Sequence, residues 1–308
     1  MSHEHPHLTD LTRSTTRRLA LSLGITLALV VVEIFAGIIA NSLALLTDAA
    51  HNFTDVLALA LAWHAIRLAL RPAHSGRTYG YHRAGILVAL FNSTTLALIA
   101  LGIFHEAYKR FVAPPEVQTD ILIGVGLAAV VVNLVTALLV RRGADNDLNL
   151  KSAYLHLMGD VLSTVGAVAA GILIRFTGLN WIDPLVSVFI GLLILWNAWG
   201  IIRESVSILM EGTPADIDIQ TMLGEIQSVA GVSGVHDLHV WSITRSLRTL
   251  SAHLVTSDVT VSAGAKIQAA VNELLARKYS ITHATLQLEC VECANNDLYC
   301  AVANNHAP

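Results

Sequence analysis

Apolar runs fill the first two thirds of the chain, near residues 18–40, 43–69, 84–108, 117–140, 152–176 and 183–209. Each is long enough to supply the roughly 20 helical residues that a bilayer core of about 30 Å requires, which predicts six membrane spans. After Thr213–Pro214 the pattern changes to that of a small soluble unit. Residues 216–229 carry helical amphipathic spacing, 235–244 ("VHDLHVWSIT") and 249–256 ("TLSAHLVT") alternate as strands, 262–278 is again helical, and 284–290 is a last strand.

The expected fold is therefore an all-α bundle of six transmembrane helices followed by an α+β ferredoxin-like domain in the order αββαβ. Four segments follow: a His-containing arm over 1–16, a transmembrane domain over 17–211, a soluble domain over 212–292 and a flexible tail over 293–308. Composition agrees, with 54% hydrophobic and 14% charged residues and a mean hydropathy of +0.60, beyond what a soluble domain carries. A net charge of −4 offers no basic stripe for phosphates, so nucleic acid is excluded as a partner. The three cysteines, Cys290, Cys293 and Cys300, all lie at the C-terminal end, cannot build a disulfide framework, and suggest a reducing compartment. Residues 1–16 are polar and the run after them is long enough to span, so no cleaved signal peptide is expected.

Arginine and lysine distribute unevenly between the predicted loops. Arg13, Arg17 and Arg18, then Arg67, Arg71, Arg77 and Arg83, then Arg141, Arg142 and Lys151 fall on one side, whereas the turns at 40–42 and 180–181 carry none. This places both termini in the cytoplasm. Lys109 and Arg110 lie on the opposite side, offset by Glu106 and Glu116.

Polar residues inside the spans carry the chemistry. "LTDAAHNFTDVLALALAW" puts Asp48, His51 and Asp55 in the second span, and "YLHLMGDVLST" repeats the His-x-x-x-Asp spacing in the fifth as His156 and Asp160. Residues four apart share one helix face, about 6 Å apart along the axis. Two such faces opposed give two imidazoles and two carboxylates, a tetrahedral set suited to Zn²⁺ whose charge the ion cancels. Asp48 lies on the same face, as an acceptor orienting an imidazole, a proton relay or a charge lining a cavity. Glu33, Asn92 and Asn133 read as helix-packing residues.

The chain resembles the cation diffusion facilitator family, in its zinc-transporting branch. The resemblance runs through "LLTDAAHNFTD", "RTYGYHRAG", "LHLMGDVLSTVGAV", "WIDPLVSVFIG", "SILMEGTP" and "VHDLHVWSIT", in the family's order and over nearly the whole length. It implies a homodimer, each protomer with six spans and a cytosolic domain, exchanging Zn²⁺ for protons by alternating access, with His51, Asp55, His156 and Asp160 as the transport site. It further implies His236, His253 and Glu289 as ligands of a cytosolic zinc site, with His239 and His283 nearby, although His239 has the wrong parity to share an ion with His236 from a regular strand. His74 and His82 fall where relatives bind an ion in the loop after the second span, but the acidic partner is missing. Arg83 and Glu211 match an interlocking charge pair at the dimer's membrane face. Cys290 and Cys293 have a zinc-like spacing that needs two further ligands, which His3, His5 and His7 can supply.

The expected function is export of cytosolic Zn²⁺ across a bacterial inner membrane, since the short fourth-to-fifth loop lacks a His-rich insert. Two alternatives come from other classes. A membrane zinc sensor would bind without flux, and an intramembrane zinc hydrolase would need an open coordination position and a base, for which no HExxH or GxSxG motif stands within the predicted spans; the HExxH string at His3–His7 lies in the polar arm and is broken by Pro6.

Overall fold

The computed structural model describes residues 24–144 and 148–290. Among the described residues, six helices precede the soluble domain: α1 (Gly24–Ile39), α2 (Leu43–Ala69), α3 (Ala84–Val112), α4 (Thr119–Ala144), α5 (Leu148–Thr177) and α6 (Ile182–Leu209). Four of these contain stretches long and apolar enough to cross a membrane, within α3, α4, α5 and α6. The described part of α1 is shorter, and α2 is interrupted by the polar residues of its first half. The described residues group into two compact units, the first from those up to His64 with those from Phe91 to Ile202, the second from Ala65–Leu90 with those from Arg203 onward.

In the first unit, large apolar side chains such as Phe35, Phe91, Phe189 and Trp196 point outward. Water would oppose that arrangement and lipid favours it, because exposing apolar side chains costs free energy in water and none in hydrocarbon. Helix α1 turns its other face inward, burying Leu29, Val30, Glu33 and Ala36 at helical spacing. Helices α4 and α5 approach closely at Gly126 and Gly171, where an added Cβ would lie 2.6 Å from Val168 and 3.0 Å from Leu122. Small residues at such contacts are what allow apolar helices to pack in a membrane.

A buried carboxylate fixes the start of α2. Asp183, wholly buried at the first turn of α6, accepts from the Ser42 hydroxyl at 2.6 Å and from the backbone N–H groups of Leu43 at 2.6 Å and Ala44 at 3.3 Å. It thus serves as an N-terminal cap supplied from another helix. Arg110 of α3 lies 3.8 Å from the same carboxylate and donates to the Asn41 carbonyl at 2.6 Å. Its guanidinium is also paired with Glu106, as is Lys109, so the two cations that break the charge asymmetry of the loops are neutralised locally. Asp183→Ala leaves the hydroxyl and both amides without their acceptor, and is expected to cost about 2–4 kcal/mol and lower the melting temperature of the detergent-purified protein by several degrees. An unchanged melting temperature would dispose of the cap.

The soluble domain in the second unit runs α7 (Ile219–Gln227), β1 (Gly234–Ser242), β2 (Arg248–Val255), α8 (Val261–Tyr279) and β3 (Ile281–Glu289). This is the expected αββαβ order. Helix α7 starts later than residue 216 because the Asp218 side chain accepts from Thr221 N at 2.7 Å and sets the cap there. The sheet has the order β1-β2-β3, with β2 antiparallel to β1 and parallel to β3. Met222 and Ile226 of α7 and Val271 and Leu275 of α8 pack with Leu238, Val240, Leu250, Ala252 and Leu254 of the sheet. Glu225 joins the two helices, accepting from Lys278 Nζ at 2.7 Å and the Tyr279 hydroxyl at 2.9 Å. With the helices on one face, alternation leaves the odd positions of β2, His253 among them, on the other.

Candidate metal centres

In the first unit, α2 and α5 bring His51, Asp55 and Asp160 together. Their ligand atoms all lie within 4.8 Å of one another. His51 Nε2 is 3.4 Å from Asp160 Oδ1 and 3.7 Å from Asp55 Oδ2, so one ring nitrogen faces carboxylates from both helices. The Asp160 side chain is 7% exposed and those of His51 and Asp55 15% and 27%, which leaves the cluster inside the bundle but open on the Asp55 side. His156 stands on α5 one turn before Asp160, on the same face by spacing, and its side chain lies outside the described residues.

Asp48 occupies the next turn of α2 and is wholly buried. Its two oxygens lie 3.0 Å from Ser163 Oγ and 2.8 Å from Thr164 Oγ1, both of α5. Each hydroxyl is also within reach of the Asp160 carbonyl, at 3.0 and 2.8 Å, and shares its single hydrogen between the two acceptors. Asp48 therefore links the two ligand-bearing helices directly behind the cluster. One turn on from Asp48 along the same face of α2, Asn52 Nδ2 donates to the buried Glu33 of α1 at 3.4 Å, and Asn133 of α4 reaches Thr164 Oγ1 at 3.4 Å. The hydroxyls of Ser163 and Thr164 were legible only as small polar residues one turn beyond Asp160. Nothing in the sequence tied them to Asp48.

In the second unit, His236, His253 and Glu289 converge, again with ligand atoms within 4.8 Å of one another. His236 faces His253 across the antiparallel β1/β2 pair, with ring centroids 5.0 Å apart and ring planes at 85°, and Glu289 comes from the end of β3. Glu289 Oε2 is 2.8 Å from His236 Nε2, and Oε1 is 3.0 Å from His253 Nδ1. The His253 Nδ1 is buried and, despite that proximity, is not aligned for a hydrogen bond. A lone pair and a carboxylate oxygen that converge without pointing at each other fit a shared cation, and two imidazoles with a carboxylate are a donor set suited to zinc. Burial by itself pushes the Glu289 carboxyl up, but hydrogen bonds with His236 and Gln287 and the charges of His253 and His236 outweigh it and hold it below the ordinary carboxylate value. Glu289 consequently stays an ionised acceptor throughout the range above that value.

Two neighbours fall elsewhere. His239 is not prevented by parity from sharing the face of His236, because β1 is irregular there. His236 pairs with His253 and His239 with Ser251, three residues on one strand against two on the other. The extra residue is a β-bulge, which flips the alternation. The His239 side chain is nonetheless 45% exposed and lies 3.0 Å from Asp237 Oδ1. His283 sits at the opposite end of β3, about 20 Å from Glu289 along the strand, paired with Thr249 and edge-on to Tyr79. The six residue steps between them put His283 out of reach of this cluster, contrary to the expectation that it lies nearby.

The remaining sequence candidates do not gather into sites among the described residues. His74 closes a tight turn, its Nδ1 accepting from Gly76 N at 3.2 Å and its Nε2 3.3 Å from the Tyr81 hydroxyl, while His82 is exposed. Arg83 and Glu211 form an ion pair at 3.2 Å within this one chain. Cys290 is exposed, and Cys293 lies outside the described residues.

A bundle of apolar helices with a buried cluster of imidazole and carboxylate, followed by a small α+β domain with a second such cluster, defines a membrane protein built to handle metal cations. Residues 19–210 match the cation efflux transmembrane domain and residues 214–291 the cation efflux protein cytoplasmic domain. The chain belongs to the cation efflux family. It is similar to the cation efflux system protein CzcD of Alcaligenes sp. (strain CT14), at 37% identity over 96% of this chain and 92% of that protein. It is also similar to the cadmium, cobalt and zinc/H(+)-K(+) antiporter of Bacillus subtilis (strain 168), at 41% identity over 87% of this chain and 86% of that one. Zinc transporter ZitB of Escherichia coli (strain K12) is 32% identical over 97% and 96%. Among solved structures, the metal-bound C-terminal domain of the CzcD transporter from Cuprividus metallidurans is 33% identical over 24% of this chain and 99% of that chain, with a TM-score of 0.22.

Proposed function

We propose that the protein exports Zn²⁺ from the cytosol in exchange for protons, as a homodimer in a bacterial inner membrane. Residues 17–211 form the transport domain with six spans, residues 212–292 the cytosolic domain, and both termini are cytoplasmic. The observation that carries this reading is the convergence of His51, Asp55 and Asp160 from two helices inside an apolar bundle, with His156 one turn from Asp160. Four protein donors with two negative charges balance Zn²⁺ where an uncompensated charge would be costly. The same groups hold protons when the metal leaves, which couples the two movements. Alternating access then follows from α2 and α5 moving against the other helices. In the cytosolic domain His236, His253 and Glu289 hold a further zinc ion that ties three strands together at one point. Relatives named for zinc, cadmium and cobalt support the ion class.

The direct test is zinc uptake by proteoliposomes containing the purified protein. Zinc entry well above protein-free vesicles, competed by cadmium or cobalt to the extent that those ions fit the same ligands, is the expected result. Zinc binding without flux would point to a sensor and remove the transport reading.

A further inference from the structure

We infer that Asp237 is a positioning residue for the cytosolic metal centre, holding His253 in the one tautomer that can ligate there. The inference rests on the reading of His236, His253 and Glu289 as a zinc site.

His253 presents its two ring nitrogens to different carboxylates. Nδ1 is 3.0 Å from Glu289 Oε1, on the side where the ligand atoms converge, and Nε2 is 3.7 Å from Asp237 Oδ2 on the other. A neutral imidazole has one lone pair and one N–H, so ligation through Nδ1 requires the hydrogen on Nε2. An N–H beside a carboxylate is stabilised, and an imidazole with such a partner is the stronger ligand. The gap between Nε2 and Asp237 is a few tenths of an ångström beyond a hydrogen bond, and a small rotation of the ring closes it. His239 completes the arrangement. Its Nε2 lies 3.0 Å from Asp237 Oδ1, so one carboxylate oxygen is held from outside and the other is directed at His253.

Only the bulge makes this possible. On a regular strand Asp237 would point away from its neighbour His236, into the face covered by α7 and α8. In the structure Asp237 is the residue between the two registers, with φ at 50° in the left-handed region, and its carboxylate comes round to the metal side. Asp adopts this conformation more readily than most residues, so a backbone role by itself would be served as well or better by glycine. That difference separates the two explanations.

The experiment uses full-length protein carrying Asp160→Ala, which disables the membrane cluster, and reads zinc affinity by competition with a chelating indicator together with the melting temperature of the metal-free protein. His253→Ala is expected to remove one zinc-binding event. Asp237→Gly keeps the bulge and loses the acceptor, and is expected to weaken that same event by about 10–100-fold with the metal-free melting temperature unchanged or raised. Asp237→Asn keeps both the backbone preference and a carbonyl acceptor, and should bind within roughly threefold of the parent, since only the charge of the acceptor is lost. If His253→Ala removes an event and Asp237→Gly binds as the parent does, the positioning role is wrong and the zinc site stands. If His253→Ala removes nothing, the site and the inference fall together.

Discussion

Asp160→Ala is expected to bring zinc flux into proteoliposomes down to the level of protein-free vesicles. Asp160 is the described carboxylate that α5 contributes to the cluster, and it faces His51 Nε2 of α2 at 3.4 Å. Without it the described ligands come from α2 alone, His51 and Asp55, and an ion can no longer draw α2 and α5 together. Losing a partner that merely orients a ligand already costs about 10–100-fold in metal affinity, so losing a ligand should cost more than about 100-fold in flux at low zinc. Asp48→Asn is the informative contrast. It keeps one acceptor for the Ser163 and Thr164 hydroxyls and leaves the ligands in place, and a reduction of roughly tenfold or less is expected. Protein yield and melting temperature near those of the parent would show that the loss in Asp160→Ala is local. Retained flux in Asp160→Ala would remove the membrane site from the account.

The second large effect is on the driving force. Vesicles with an acidic lumen should accumulate zinc, vesicles without a pH difference should only equilibrate, and a proton ionophore should abolish the accumulation. The sign follows from the ligands. A histidine binds zinc only when neutral and an aspartate only when ionised, so the acidic side favours protons over metal and the alkaline side metal over protons. Zinc is therefore taken up from the alkaline side and released into the acidic one. Each proton exchanged changes the attainable zinc ratio by about tenfold per pH unit, because one unit is about 1.4 kcal/mol of proton free energy. The slope of the zinc ratio against the pH difference thus counts the protons. Accumulation that survives the ionophore would disprove proton exchange and leave the metal cluster untouched.

The amino-acid order alone determined a large part of this protein. Hydropathy placed the helices, and the change of period after Pro214 placed the α7–β3 domain, because lipid exposure and strand alternation impose periods that can be counted. The repeated His-x-x-x-Asp on two helices pointed to His51, Asp55 and Asp160, which converge, and to His156, whose side chain lies outside the described residues, since helical geometry sets such residues on one face before anything is known of the neighbours. What it left open are contacts set by packing between elements. Asp183 capping α2 from α6, across 140 residues, has no local signature. Neither has the grip of Asp48 on Ser163 and Thr164, which depends on how closely α2 and α5 approach. The bulge in β1 is the sharpest case: one extra residue between His236 and His239 reverses the parity of everything before it, and strand alternation read from the sequence assumes that no such residue exists. His283 was misplaced because distance along β3 counts against a shared site even where parity allows one. Periodicity is a property of one segment, whereas register, caps supplied from other helices and shared hydroxyls belong to pairs of segments, and only the tertiary structure specifies the pairs.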